Sequence, residues 1–226
     1  MAESAHSVKT PCQQRSRDSL ERILKTAEAL IRTKGFEALT VAEVVRRSQT
    51  STGTFYARFL DKTALLHAVQ ERVHGREEMQ MRDRVGKVGW DALSLEETVQ
   101  ELVDIKRAVT KGNERLLEAF VVRGATDPLV RQRGYRYKAS VENLEVEVLM
   151  RHAAQIGHRD PESAARVASR LWQAAQEEHV QRSRSGVTFQ GAVPQDLLIQ
   201  KLAEVVIAYL RSPDISGALL SKPSPS

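Results

Sequence analysis

The sequence predicts an all-α fold of about nine helices, and three observations carry that expectation. Apolar residues recur along most of the chain at i, i+3, i+4 and i+7, the spacing of one helix face. Capping residues and glycine or proline stops punctuate those stripes at helical lengths. Near the N-terminus, two segments too short to be stable alone lie back to back between two long amphipathic ones.

Residues 1–15 are small and polar with no periodicity, and are expected to form a disordered arm. The first helix follows in "DSLERILKTAEALIRTKG". Leu20, Ile23, Leu24, Ala27, Leu30 and Ile31 make one stripe, Asp18 and Glu21 have capping-box spacing, and Gly35 is a stop. "TVAEVVRRS" is the second, with Thr40 and Glu43 again at capping-box spacing and Val41, Val44 and Val45 as its buried face. Ser51 is the expected cap of a third helix over residues 52–58. Asp61 caps a fourth, long helix that carries Leu65, Leu66, Ala68, Val69 and Val73.

From residue 94 the pattern is long helices only. "SLEETVQELVDIKRAV" and "NERLLEAFVVRGA" come first, broken at Asp127-Pro128. A segment over 129–156 follows, with Val130, Tyr137, Val141, Leu144, Val148 and Ala153 in its stripe. "PESAARVASRLWQAAQEEHVQ" starts on Pro161 in its first turn, with Ala164, Val167, Ala168, Leu171, Trp172 and Ala175 aligned. After a glycine-bearing loop, "PQDLLIQKLAEVVIAYLR" aligns Leu198, Leu202, Val205, Val206, Tyr209 and Leu210. Residues 212–226, rich in Ser and Pro, are an expected flexible tail.

A single cysteine, Cys12, excludes an internal disulfide and fits a reducing compartment. The N-terminal residues have no leader-like apolar core, and no run approaches the ~18 apolar residues of a membrane span. A cytoplasmic protein is expected. The net charge is +5, and residues 15–62 hold ten Lys/Arg against six acids. A basic module on a near-neutral body points to an anionic partner for the module.

Catalytic and metal patterns are missing from the sequence. There is no G-x-S-x-G, G-x-G-x-x-G or phosphate loop. His67 and His74 share a face but lie two turns, about 10 Å, apart, and His152, His158 and His179 have no ligand spacing. Glu177-Glu178 and the cluster Arg131, Arg133, Arg136 and Lys138 read as solvated helix faces. No enzyme activity, metal or cofactor is expected.

Two short helices over 41–47 and 52–58, joined by a tight turn and braced on both sides, make a helix-turn-helix. Its second helix belongs in a major groove, which explains the polarity of "SQTSTGTFYARF": contacts to bases and phosphates need short hydroxyls and donors. Phe55 and Phe59 turn back to the core, and Tyr56 is placed for the sugar-phosphate edge.

"GFEALTVAEV", "GTFYARF" and "DKTALL", in that order and spacing, resemble the DNA-binding region of TetR-family transcriptional regulators over about residues 17–70. The resemblance implies a phosphate contact at Thr40 and further ones at Thr54, Tyr56 and Lys62. It places Ser51, Thr52 and Gly53 at the leading end of the recognition helix, against bases. Arg46 and Arg47 end the supporting helix, and Arg58 follows the recognition helix. Three positions depart from the family pattern: Gln49 stands at the turn where glycine is usual, Thr52 replaces a frequent lysine, and Ala57 a frequent histidine.

The resemblance also implies an organisation. An arm, 1–15, would precede a DNA-binding domain, 16–62, then a helical effector-binding and dimerisation domain, 63–211, and a tail, 212–226. A largely hydrophobic small-molecule effector is expected among Phe120, Arg123, Tyr137, Met150 and Trp172. Leu171, Ala175, Leu198, Leu202, Val205 and Tyr209 are the expected homodimer interface. The expected function is a homodimeric repressor, released by its effector from an inverted-repeat operator in double-stranded DNA. The competing reading is a structural or protein-partnered DNA-binding factor without an effector.

Overall fold

The computed structural model describes residues 11–185 and 194–213. Most of the expected N-terminal arm, the glycine-bearing loop after residue 185 and most of the tail lie outside the described residues. Within them all regular structure is helical. The helices are α1 (Pro11–Lys34), α2 (Val41–Arg47), α3 (Thr52–Tyr56), α4 (Lys62–Val85), α5 (Leu95–Thr110), α6 (Glu114–Gly124), α7 (Pro128–Leu149), α8 (Pro161–Ser185) and α9 (Gln195–Arg211). Two 3-10 segments, Trp90–Ala92 and Met150–Gln155, join them. None of the described helices is long and apolar enough to cross a membrane.

The helices pack as two compact units. One runs to Val73 and adds Gly112–Val130, and the other comprises His74–Lys111 and the chain from Arg131. The division therefore falls inside α4, whereas the sequence reading set it at residue 62, and α6 packs with α1.

In the N-terminal unit most of the α1 stripe is inside: Ile23, Ala27, Leu30 and Ile31 are at most 1% exposed, Leu24 is buried and Leu20 half-buried. They meet Phe36, Leu39, Val44, Phe55, Phe59, Leu65, Leu66, Val69 and, from α6, Leu116 and Phe120. Burying a ring such as Phe55 contributes about 1.5–3 kcal/mol.

α1 begins at Pro11, so Asp18 and Glu21 lie inside it and do not form the expected capping box. The extra turns are held from outside: the Arg58 guanidinium donates to Ser16 O, Ser16 Oγ and Ser19 Oγ at 2.6–2.9 Å. Residues 11–15, expected in the arm, are accordingly helical. At the other end Gly35 takes a positive φ of 81° and bonds back to Ile31, the stop the sequence predicts.

α3 is two residues shorter than expected. It ends at Tyr56, and Arg58 and Phe59 bond back to Phe55 O in a tightened turn that carries Phe59 into the core.

The C-terminal unit centres on α5, α7, α8 and α9, around Leu95, Val99, Val103, Val146, Leu149, Trp172 and Leu210. Ser94 and Glu97 cap α5 reciprocally in a full capping box. The expected helix over 129–156 stops at Leu149. His152, buried and bonded to Thr98 Oγ1 at 2.8 Å, leaves helical geometry (φ −107°, ψ 22°) and ends the run. Chain and chain then meet at Gly157: its N–H donates to Leu210 O at 2.8 Å, and a Cβ there would lie 2.4 Å from Arg211 O. Only glycine allows that approach.

Candidate nucleic-acid interface

α2 and α3 are each capped by a hydroxyl that the sequence marks. Thr40 Oγ1 accepts the Glu43 amide at 3.3 Å, and Ser51 Oγ accepts the Thr54 amide at 3.0 Å. Glu43 does not complete the expected capping box. Its carboxylate pairs with Lys34 and with Arg47 (3.1 Å), and the Lys34 hydrogen bond is the first cause of its lowered pKa.

Between the two helices the chain closes a Schellman turn. Thr50 N–H bonds Val45 O at 3.1 Å, Gln49 N–H bonds Arg46 O, and Gln49 takes a φ of 52°. The departure from glycine at this position thus carries a left-handed glutamine, a strain of about 1–2 kcal/mol. Arg22 Nε of α1 donates to Ser48 O at 3.1 Å and holds the turn in place.

α3 divides its side chains sharply. Phe55 and Phe59 point inward, 0% and 5% exposed, and Phe55 packs edge-on against Tyr56 at 5.3 Å. Thr52 and Tyr56, four apart and so on one face, point outward with Ser51 and Gly53 beside them, and Tyr56 is 54% exposed. Thr54 is half-buried, its hydroxyl 2.9 Å from Ser51 Oγ. Thr40, Arg46 and Arg47 are exposed on the neighbouring α2.

Lys62 at the start of α4 is held over the turn before α2. Its ammonium donates to the carbonyls of Phe36 and Glu37 at 3.5 and 3.3 Å and lies 4.7 Å over the Phe36 ring. Arg58 is the exception among the candidates, since its guanidinium braces α1. That brace and the Arg22 contact are structural pairings the sequence reading missed, because neither has a fixed sequence spacing.

The acids of this region are all engaged. Asp18 accepts from Gln14, Glu21 and Glu28 pair with Arg72, Glu37 approaches Lys62, Glu43 takes Lys34 and Arg47, and Asp61 caps α4. The exposed candidate side chains of α2, α3 and their caps are therefore hydroxyls and cations. Among the described residues no group of three or more His, Cys, Asp or Glu is arranged to hold a metal ion.

Of the five expected effector residues, Phe120 and Arg123 belong to the N-terminal unit and Tyr137, Met150 and Trp172 to the C-terminal unit. Phe120 lies in the N-terminal core, and Arg123 donates to Thr63 Oγ1 at 3.2 Å in the same unit. Tyr137 stacks on His74 at 4.3 Å, and Met150 packs at the edge of the C-terminal core. Trp172 borders a cavity of about 30 Å³ between α5, α7, α8 and α9. Lys106 and Glu145 on its wall were missed, although each sits where an apolar residue is due in a stripe, a signal the sequence does contain.

The stripes of α8 and α9 each resolve into two faces. Ala164, Ala168 and Trp172 point inward, while Val167 and Leu171 are 42% and 41% exposed. On α9, Val206 and Leu210 are buried, Leu198, Leu202 and Tyr209 are half-buried, and Val205 is 56% exposed. Ala175 is half-buried on α8.

Comparison with known proteins bears on the whole chain and on this interface separately. Residues 23–69 match the family model described as bacterial regulatory proteins, tetR family. The HTH-type transcriptional regulator YvdT of Bacillus subtilis (strain 168), itself uncharacterised, is 36% identical over 53 residues, 24% of this chain. The chain spans about a quarter, 27%, of that relative. A TetR transcription regulator from Haloarcula marismortui ATCC 43049 superposes with a TM-score of 0.65 over 86% of this chain and 97% of its own, at 16% identity. The regulatory protein TetR from Rhodobacter sphaeroides gives 0.62 over 84% and 98%, at 12% identity. Likeness at these identities is one of fold.

Proposed function

We propose that this chain, whose residues 23–69 match the tetR family model, is a homodimeric repressor of an inverted-repeat operator. The observation that carries this reading is the exposed, hydroxyl-capped face of α3, with Ser51, Thr52, Gly53 and Tyr56 outward and no lone acid near it. Ser51, Thr52 and Gly53 meet base edges. Thr40, Thr54, Tyr56 and Lys62 hold phosphates, each hydroxyl that accepts a capping amide keeping its own O–H to donate. Arg46 and Arg47 add positive charge along the same edge.

The apolar residues left outward on α8 and α9 support pairing of two copies. A two-fold pair sets recognition helices about 34–36 Å apart, one helical turn of DNA, and so reads an inverted repeat. Release follows when a small molecule favours a dimer of the wrong spacing. A tenfold to hundredfold loss of operator affinity needs about 1.4–2.8 kcal/mol of differential binding. α4 and α7, whose residues belong to both units, are covalent paths for that change.

The 30 Å³ size of the cavity favours a second reading, a DNA-binding factor with no effector. Selection of bound duplexes from a random pool tests the core of the proposal. An enriched inverted repeat is expected, and a pool that fails to converge rejects it. A screen of small molecules against the selected duplex then separates the two readings.

A further inference from the structure

We infer that the cavity between α5, α7, α8 and α9 is the anchor for a neutral apolar molecule carrying a carbonyl oxygen, which Lys106 and Trp172 bind by hydrogen bonds. This rests on the effector reading above and gives that effector a chemical class.

The walls are mostly aliphatic, with Val99, Val103, Leu149, Ala203 and Val206 among them. Against this lining stand three polar side chains and an indole. Lys106 Nζ lies 2.5 Å from Glu145 Oε1, and Ser169 Oγ donates to Glu145 Oε2. The Lys106 ammonium also lies 5.1 Å over the Trp172 ring. Lys106, Glu145, Ser169 and Trp172 are all at least nine-tenths buried.

Donors are in excess here. Glu145 uses one of the three N–H groups of an ammonium and the Ser169 hydroxyl. Among the described residues Trp172 Nε1, 3% exposed as a residue, has no hydrogen-bond partner, and Glu145 Oε1 is held only by its ion pair with Lys106. Buried donors in folded proteins are almost always satisfied, so an orphaned indole N–H beside a lysine calls for an acceptor. The acceptor must come with a molecule that tolerates the aliphatic walls.

Charge selects among acceptors. Lys106 and Glu145 are neutral as a pair, whichever of them holds the proton. A carboxylate added beside them would be a buried charge with no counterion, and an ammonium would set donor against donor. Burial pushes the Lys106 pKa below its usual value, and the Glu145 carboxylate draws it only part of the way back. A carbonyl oxygen offers two lone pairs and no charge. The cavity seats that oxygen, and the rest of the molecule has to widen it; the small side chains Ala168 and Ala203 on the wall leave the least packing to displace.

The chain has two tryptophans, which makes a direct readout available. Trp90 Nε1 already donates to Val85 O at 2.9 Å and serves as the internal reference. The indole ¹⁵N–¹H resonances of the full chain are followed while acetophenone, ethylbenzene, benzoate and benzylammonium are titrated separately. Acetophenone is expected to move the Trp172 resonance saturably, leave that of Trp90 in place, and bind at least tenfold more tightly than the other three. The double variant Lys106→Met/Glu145→Leu removes the pair together, leaves no lone buried charge, and should weaken acetophenone at least tenfold. Should it fail to fold, Trp172→Phe carries the same test through loss of the acetophenone-induced rise in Tm.

An unmoved Trp172 resonance, equal binding of ethylbenzene, or tighter binding of benzoate each overturns the inference. Operator affinity is measured in parallel. Acetophenone binding at Trp172 without any change in DNA affinity leaves this site standing and removes the effector reading. A DNA response with Trp172 unmoved does the reverse.

Discussion

Both units brace their helices with buried polar groups, and they differ in where those groups lie. In the N-terminal unit they brace helices: Glu28 takes Arg72 and Arg32, Gln70 donates to Val130 O at 3.0 Å, and Arg32 donates to Asn113 Oδ1. The chemistry of that unit is then left on the surface of α3. In the C-terminal unit the interior itself is polar, with Lys106, Glu145, Trp172, His74 and Glu77 all buried. On the function proposed above, the first unit meets its partner at its surface, whereas the second holds a buried donor, Trp172 Nε1, against its cavity.

Truncating the core behind α3 is the most severe way to break that contrast. Phe55→Ala removes a ring that is 0% exposed and should destabilise the N-terminal unit by about 3–5 kcal/mol. Chemical denaturation followed separately in the two units should show the loss in the first, along with loss of DNA binding.

The interior of the C-terminal unit should reveal itself through pH. Burial first, then Arg133 and Lys138, push the His74 pKa down from 6.5 to about 4, so the folded protein holds this ring neutral while the unfolded chain protonates it. The unfolded state therefore binds more protons below pH 6.5, and stability falls as pH drops from 6.5 to about 4. The full loss is at most about 3 kcal/mol. His74→Phe keeps a ring against Tyr137 and should flatten the denaturation midpoint over that window.

A smaller break lies at the close approach of Gly157 to the end of α9. A methyl there meets Arg211 O, and Gly157→Ala should cost about 1–3 kcal/mol. Faster hydrogen exchange at the α9 amides, with α1 unchanged, is the expected signature. The smallest effect sharpens the comparison in the other direction. Gln49→Gly relieves a left-handed residue and should stabilise the N-terminal unit by about 0.5–1 kcal/mol after the entropy of the added glycine. A fall in its midpoint would contradict the strain assigned to the turn.

The same contrast explains what the sequence made legible. Ser51, Thr40, Gly35 and Asp61 were readable because caps and stops act within four residues, and Gln49 because a Schellman turn fixes one position. The braces were not, since Arg58 reaches 42 residues back and Arg22 reaches 26 forward. On α8 the periodicity merged an inward and an outward apolar face, and only packing separates Trp172 from Leu171. Phe120 and Tyr137 both lie on apolar stripes, but α6 packs with the N-terminal core, which no local pattern records. The break at His152 depends on a hydrogen bond to Thr98, 54 residues away.

The central claim, that the outward face of α3 with Lys62 and Thr40 beside it meets DNA, is tested most directly by salt dependence on the selected duplex. Anisotropy titrations between 50 and 200 mM salt would compare the wild type with Lys62→Ala and Thr52→Ala. For Lys62→Ala the slope of log K against log salt should become shallower by about 0.9 per bound subunit, on selected and scrambled duplexes alike. Thr52→Ala should keep the wild-type slope and change which bases are preferred. Wild-type slope, affinity and base preference in both variants would contradict the account.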